Sequence, residues 1–291
     1  MAVDPEELES LIALLDDRDP MVADAVGTRL ASFGPEGVRS LRNRSEREAD
    51  PLRKALIADR AKELNAEFKL ADLQDHVTRR PGPLSLFEGS WIVSSLLDWT
   101  LRRERYEDLF FRCSQEYLAE SSDQRTGVEN IRVLNHIFFH RLKFTLYDVQ
   151  LCDPQYARVS DVLKTREGNP FSLALIYLMI CQISGIPVEL LCFPGGFVPT
   201  YVEKGRILFY INLYRGGELF PQDRLSHFLR ATGLNFDAGA FRRRDESAML
   251  TLYLESLLYL HSNRRDEAVC SLLDRALAIL GPERFLTIDD P

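Results

Sequence analysis

The sequence predicts a helix-rich α+β protein, and three observations predict it. Residues 1 to 80 repeat an aspartate-proline helix start followed by apolar residues at helical spacing. Phe171 to Ser184 is apolar nearly all round, the pattern of a helix buried on every side. Three short runs follow it, Val188 to Phe193, Phe197 to Val202 and Arg206 to Tyr214, which read as strands separated by turn residues.

Composition bounds the answer first. The chain has 291 residues, 45% apolar, 27% charged and 10% aromatic, ordinary values for a globular protein of one large or two to three small domains. A net charge of −8, with a pI near 5.3, opposes attraction to phosphates, so no nucleic-acid partner is expected. The longest apolar run, near Leu173 to Ile180, is too short to span a bilayer, and no membrane partner is expected. Met1-Ala2-Val3-Asp4-Pro5-Glu6 lacks the basic and apolar regions of a signal peptide, so a cytoplasmic location is the expectation.

The elements follow in order. Asp4-Pro5-Glu6-Glu7 is a helix cap with proline at the first helical position, and Leu8, Leu11, Ile12 and Leu15 make the apolar face. Asp19-Pro20 and Asp50-Pro51 start two further helices, and Gly34-Pro35 ends the one between them. Pro81-Gly82-Pro83 is a breaker and a candidate linker. Leu84 to Leu101 reads as a helix with Trp91 and Trp99 packing inward, and Ile131 to Leu142 as another. Asn169-Pro170 caps the apolar helix, and Gly185-Ile186-Pro187 stops it. Lys204-Gly205 suggests a hairpin turn. After Gly216-Gly217, residues 222 to 232 read as a short helix. Asp245 to His261 and Asp266 to Leu280 form a last helical pair.

Titratable residues give little that is specific. The five cysteines, Cys113, Cys152, Cys181, Cys192 and Cys270, are odd in number and none has C-x-x-C spacing. Neither a disulfide framework nor a zinc knuckle is indicated. His136 and His140 share a helical face, but His136-Ile137-Phe138-Phe139-His140 lacks the glutamate of a metalloprotease motif. No metal and no cofactor are expected. The basic runs Arg102-Arg103-Glu104-Arg105 and Arg242-Arg243-Arg244 read as solvated helix or loop faces.

One stretch is specific. Gly168-Asn169-Pro170-Phe171-Ser172-Leu173-Ala174-Leu175-Ile176-Tyr177 opens the apolar helix, Pro194-Gly195-Gly196-Phe197 opens a strand, and Ile211-Asn212-Leu213-Tyr214 closes the next. With Asn135-His136-Ile137-Phe138-Phe139, Asp153-Pro154 and Asp161-Val162-Leu163 upstream, this order resembles the SirB1 family, whose central domain is transglutaminase-like. The resemblance is best from about residue 125 to 230. It implies a helix packed on a small antiparallel sheet and a Cys-His-Asp site spread over the helix start and two strands. The corresponding positions hold Pro170, Gly196 and Asn212, and none of these is a nucleophile or a general base.

The expected organisation is a HEAT-like helical array over 1–80, a transglutaminase-like SirB1-type domain over 81–235 and a tetratricopeptide-like helical hairpin over 236–291. A single such hairpin cannot bury its own face and is expected to dock on the central domain. The function expected is a non-catalytic, protein-binding or regulatory module with a degenerate site, its partner another protein. The alternative is an amide hydrolase or transferase with a displaced site, for which Ser172, Asn212, Cys192 and His227 are the candidate residues.

Overall fold

The computed structural model describes residues 3–79, 84–122, 124–147, 153–193, 196–225, 227, 242–243 and 245–283. The chain separates into two compact units: Met1–Pro81 with Ser95–Leu101, and Gly82–Ser94 with Arg102–Pro291.

The first unit is built on the helices α1 (Pro5–Ala13), α2 (Pro20–Ser32), α3 (Pro35–Arg47) and α4 (Pro51–Thr78). All four begin with proline, whose missing N–H costs nothing at a helix start. Asp4, Asp19 and Asp50 accept the backbone N–H of Glu6, Met21 and Leu52 at 3.1, 2.9 and 2.9 Å. Leu8, Ile12, Val26, Leu30, Leu41 and Ile57 are buried in one core, and Trp99 packs partly against it. The buried amide of Asn65 donates to the carbonyl of Ser95 at 2.8 Å.

In the second unit, α5 (Leu86–Leu97) as far as Ser94, α6 (Arg103–Glu120), α7 (Gly127–Asn135), α8 (Val159–Thr165) and α9 (Pro170–Ile183) accompany the sheet. Thr126 and Glu129 cap α7 reciprocally. A five-stranded antiparallel sheet has the order β6-β5-β4-β3-β7, with β3 Val188–Phe193, β4 Gly196–Glu203, β5 Arg206–Asn212, β6 Glu218–Phe220 and β7 Arg242–Arg243. Two-residue strands β1 (Thr145–Leu146) and β2 (Glu167–Gly168) pair in parallel. Helices Glu246–Asn263 and Glu267–Leu280 follow. The fold is therefore α+β and helix-rich, with a small antiparallel sheet.

The helix α9 organises this unit. Every residue from Ser172 to Cys181 is buried, so the helix has no solvent face. Phe171 at its start meets the ring of Phe197 in β4 at 5.2 Å. Val198, next along the strand, packs with Leu191, Phe193, Tyr210 and Phe220. The hydroxyl of buried Tyr253, in the Glu246–Asn263 helix, accepts the N–H of Val159 at 2.9 Å.

Several sequence expectations need adjustment. The Trp-bearing helix stops at Leu97, because Asp98 Oδ1 takes the N–H of Thr100 at 3.0 Å in a side-chain turn. The helix after Ile131 becomes π-helical over His136–Arg141. The third strand ends at Asn212, where a 3-10 turn, Leu213–Arg215, takes over. Arg103 is more than a solvated face: it pairs with Glu88 and Glu107 at 2.7 and 2.6 Å and lies over the Trp91 ring. Arg242 and Arg243 pair through their backbone with Cys192 and Leu191, forming the sheet edge. The linker Pro81-Gly82-Pro83, Cys152 and most of the 222–232 segment lie outside the described residues.

Candidate functional site

The site grows from the first turn of α9. Asn169 accepts the backbone N–H of Ser172 at 2.8 Å, which caps the helix, and Pro170 occupies the first position. Ser172 is fully buried, and its hydroxyl is shared between the carbonyls of Tyr156 and Asn169 at 2.7 and 3.1 Å. The Asn169 N–H also reaches the Tyr156 carbonyl, at 2.8 Å. Ser172 thus ties the helix start to the turn Pro154–Tyr156, and its proton is committed to acceptors that cannot act as bases. Gly168 is required here, since a Cβ would lie 2.7 Å from Ser172 Oγ and 2.7 Å from Val162.

A shallow cleft, with room for about one water, opens beside this turn. Its origin lies in β4. The β4–β5 pairing runs from Thr200 opposite Tyr210 to the Lys204-Gly205 turn, where both residues have positive φ. Pro199 precedes Thr200 and has no N–H with which to extend the ladder. The strand ends beyond it border the cleft instead of each other. Pro170, Leu173, Phe197, Pro199, Ile211 and Asn212 line it, together with Leu146, Val198, Leu213 and Tyr214. No thiol, imidazole or carboxylate stands among these residues.

The structure therefore brings Pro170 and Asn212 to one cleft. Gly196 opens β4 opposite Phe193, directly before Phe197 and Val198, which both line that cleft. Asn212 is 9% exposed, and its Oδ1 is shielded from solvent with no hydrogen-bond partner among the described residues. Buried acceptors normally find a donor, so this one stands out.

A buried polar network fixes Asn212 from behind. The Asn212 carbonyl accepts the N–H of Gly217 at 2.9 Å. The Gly217 carbonyl accepts from the Asn135 amide at 2.7 Å, and Tyr177 on α9 donates its hydroxyl to Asn135 Oδ1 at 2.8 Å. Gly217 has φ +82, and a Cβ there would sit 2.3 Å from the Asn135 amide carbon. From the sequence, Asn135 and Tyr177 counted only toward a resemblance, and the Gly216-Gly217 pair only as a break. Pro199 carried a legible signal, a proline inside a strand, that the sequence reading did not use.

The other candidates lie elsewhere. Cys192 is buried in β3 between its cross-strand neighbours Phe197 and Arg242. His227 is exposed. The His136 and His140 rings lie 5.4 Å apart, and among the described residues no cluster of three potential metal ligands exists. Burial pushes the Cys113 thiol up to about 11 and the Cys181 thiol well above its usual range, which keeps both protonated. Among the described residues no helix is long and apolar enough to cross a membrane.

A UPF0162 protein of Xylella fastidiosa strain 9a5c is 29% identical over 139 residues, 45% of this chain and 49% of that protein. A UPF0162 protein of the Temecula1 strain is 32% identical over 134 residues, 43% and 47% of the two chains. F-box only protein 21 of Mus musculus is 25% identical over 113 residues, 38% of this chain and 18% of that protein. The chain thus aligns with about half the length of the bacterial relatives and less of the mouse protein. No solved structure matches it. The family profile described as the transglutaminase-like superfamily matches residues 103–253, just over half of the chain and the whole of the region from α6 to the middle of the Glu246–Asn263 helix. The chain belongs to the transglutaminase-like superfamily.

Proposed function

We propose that this chain is a non-catalytic, SirB1-type member of the superfamily that works in the cytoplasm as a protein-interaction or regulatory module. One observation carries the reading: among the described residues, those that line the cleft shared by Pro170 and Asn212 include no thiol, imidazole or carboxylate. Acyl transfer through a covalent intermediate needs a nucleophile and a base in contact. The Ser172 hydroxyl at the helix start is buried, with its proton held by main-chain carbonyls. Cys192 sits in a buried strand and His227 on the surface, so nothing favours a displaced dyad between them.

The flanking helices supply the interaction side of the proposal. The N-terminal helices read as a HEAT-like array over 1–80 and the last pair as a tetratricopeptide-like hairpin over 236–291, about a central domain over 81–235. Arrays of this kind bury their stripes against one another and offer their other faces to partners.

The test uses the full chain with glutamine-containing peptides and a thiol-directed acylating probe. The expected result is no turnover, and no cysteine that reacts faster than its accessibility allows. Rapid labelling of one cysteine, Cys192 first among them, with loss of a measurable amide hydrolysis or transamidation, would overturn the reading in favour of a displaced active site.

A further inference from the structure

We propose that His136 and His140 form a two-histidine chelate for a late first-row divalent metal ion, of the nickel, copper or zinc class. Both residues are exposed on the turn His136–Arg141 of the second unit, and their rings lie 5.4 Å apart, tilted by 36°. Neither ring makes a hydrogen bond or an ion pair among the described residues. Metals of this class are taken by imidazole nitrogens at about 2.0–2.1 Å. With N–metal–N angles between the octahedral and tetrahedral values, two such rings have centroids about 4.5–5.2 Å apart. The observed separation lies a small side-chain rotation from that range.

The backbone brings the rings together. The Leu142 N–H donates to the Ile137 carbonyl at 2.8 Å, the five-residue bond of a π turn. Such a turn advances less per residue than an α turn, so side chains four apart lie closer along the axis. Single π turns are rare and recur at functional sites. This one is pinned from inside: Ile137 and Phe138 are buried, and Phe138 stacks on Phe144 at 4.4 Å and meets Tyr177 edge-on at 5.2 Å. The two imidazoles therefore stand on a held backbone, and an ion has only their side-chain rotation to order. The Arg141 charge is engaged by Glu120, and Arg132, one turn earlier, is exposed and screened by water. Ile137, Phe138 and Phe139 between the ligands supply no general base, so the site holds an ion without the hydrolytic chemistry of a metalloprotease helix.

The experiment titrates the full chain with nickel(II) chloride in a non-coordinating buffer, by calorimetry and by paramagnetic broadening of amide signals in NMR. One ion per chain is expected, with broadening centred on residues 136 to 140. His136→Gln and His140→Gln should each weaken binding at least about tenfold, and His227→Gln, at another exposed histidine, should leave it unchanged. Without metal both variants should unfold at the parent's denaturant midpoint, because the two side chains are exposed. Nickel should raise the midpoint of the parent and of neither variant. Binding should be lost on acidification, since metal and proton compete for the same nitrogens. No binding below about 1 mM nickel, an affinity that neither substitution changes, or a loss equal to that of His227→Gln overturns the proposal. Broadening that spares residues 136 to 140 overturns it whatever the variants do.

Discussion

The hydroxyl of Tyr177 donates to Asn135 Oδ1 at 2.8 Å, deep inside the second unit, and the same asparagine donates to the Gly217 carbonyl at 2.7 Å. The pair links the middle of α9 to the turn that follows β5. A mid-helix tyrosine therefore sets the position of a cleft residue that it does not touch. Tyr177→Phe would leave the Asn135 oxygen buried and unpaired, and a loss of about 1–3 kcal/mol in urea unfolding is expected. A variant as stable as the parent would show that the network does not hold the turn.

Gly217→Ala should be worse than Tyr177→Phe. The added Cβ collides with the Asn135 amide at 2.3 Å, and φ +82 disfavours alanine by itself. Unfolding of the Ala variant should begin at least about 2 kcal/mol earlier, and the amide signals of Leu213 to Gly217 should move most.

Pro170→Cys tests what the helix start could do. The new thiol would sit at the first position of α9, where the helix field favours a thiolate. Its alkylation by iodoacetamide should outpace that of Cys113 and Cys181 at neutral pH, since burial holds those two protonated. Equal rates at all three would mean that the helix start lends a thiol no activation.

Alkaline stability should carry the mark of Cys113. Its folded thiol is pushed up to about 11 by burial from an ordinary value of 9.0. In the unfolded chain the thiol ionises first, so stability is full below pH 9 and falls as pH rises through 11. The loss attributable to this thiol is on the order of 2 kcal/mol, and Cys113→Ala should flatten the slope in that window. Buried Tyr106, Tyr177 and Tyr253, also raised by burial, will steepen the slope at higher pH in both proteins.

Mildly acid conditions should act through His261. Burial lowers its pKa from 6.5 against the opposing pull of Asp266, and Arg158 and Arg264 lower it further. The unfolded imidazole then takes a proton that the folded one resists, so stability falls as pH drops below 6.5 toward the folded value. His261→Gln should remove that slope, which denaturant midpoints between pH 7 and pH 5 would reveal.

Much of the fold near the site was legible because it is written locally. Asn169-Pro170 marked the start of α9, Lys204-Gly205 marked the hairpin, and β3 was read with its observed ends, since caps, turns and alternation act over a few residues. The short strands β1, β2, β6 and β7 were not read. Pieces of two or three residues have no periodicity, and tertiary pairing alone makes them strands. The π-helical turn after Asn135 was equally hidden, because His136 to Arg141 satisfies α spacing as well. At the site, the residues at the three positions could be named, but not the dry amide of Asn212. That amide depends on where β4 leaves β5, and thus on a single proline in the strand.

The burial of α9 has a consequence for synthesis. Ten consecutive residues, Ser172 to Cys181, need cover on every side. When they leave the ribosome, the sheet that supplies part of that cover has not yet been made, and β5 is complete only at Asn212. For that interval the nascent chain carries an adhesive apolar rod with no finished socket. Its yield in cells should therefore depend on chaperones, and slowing translation between residues 184 and 212 should lengthen the hazard without changing the final structure.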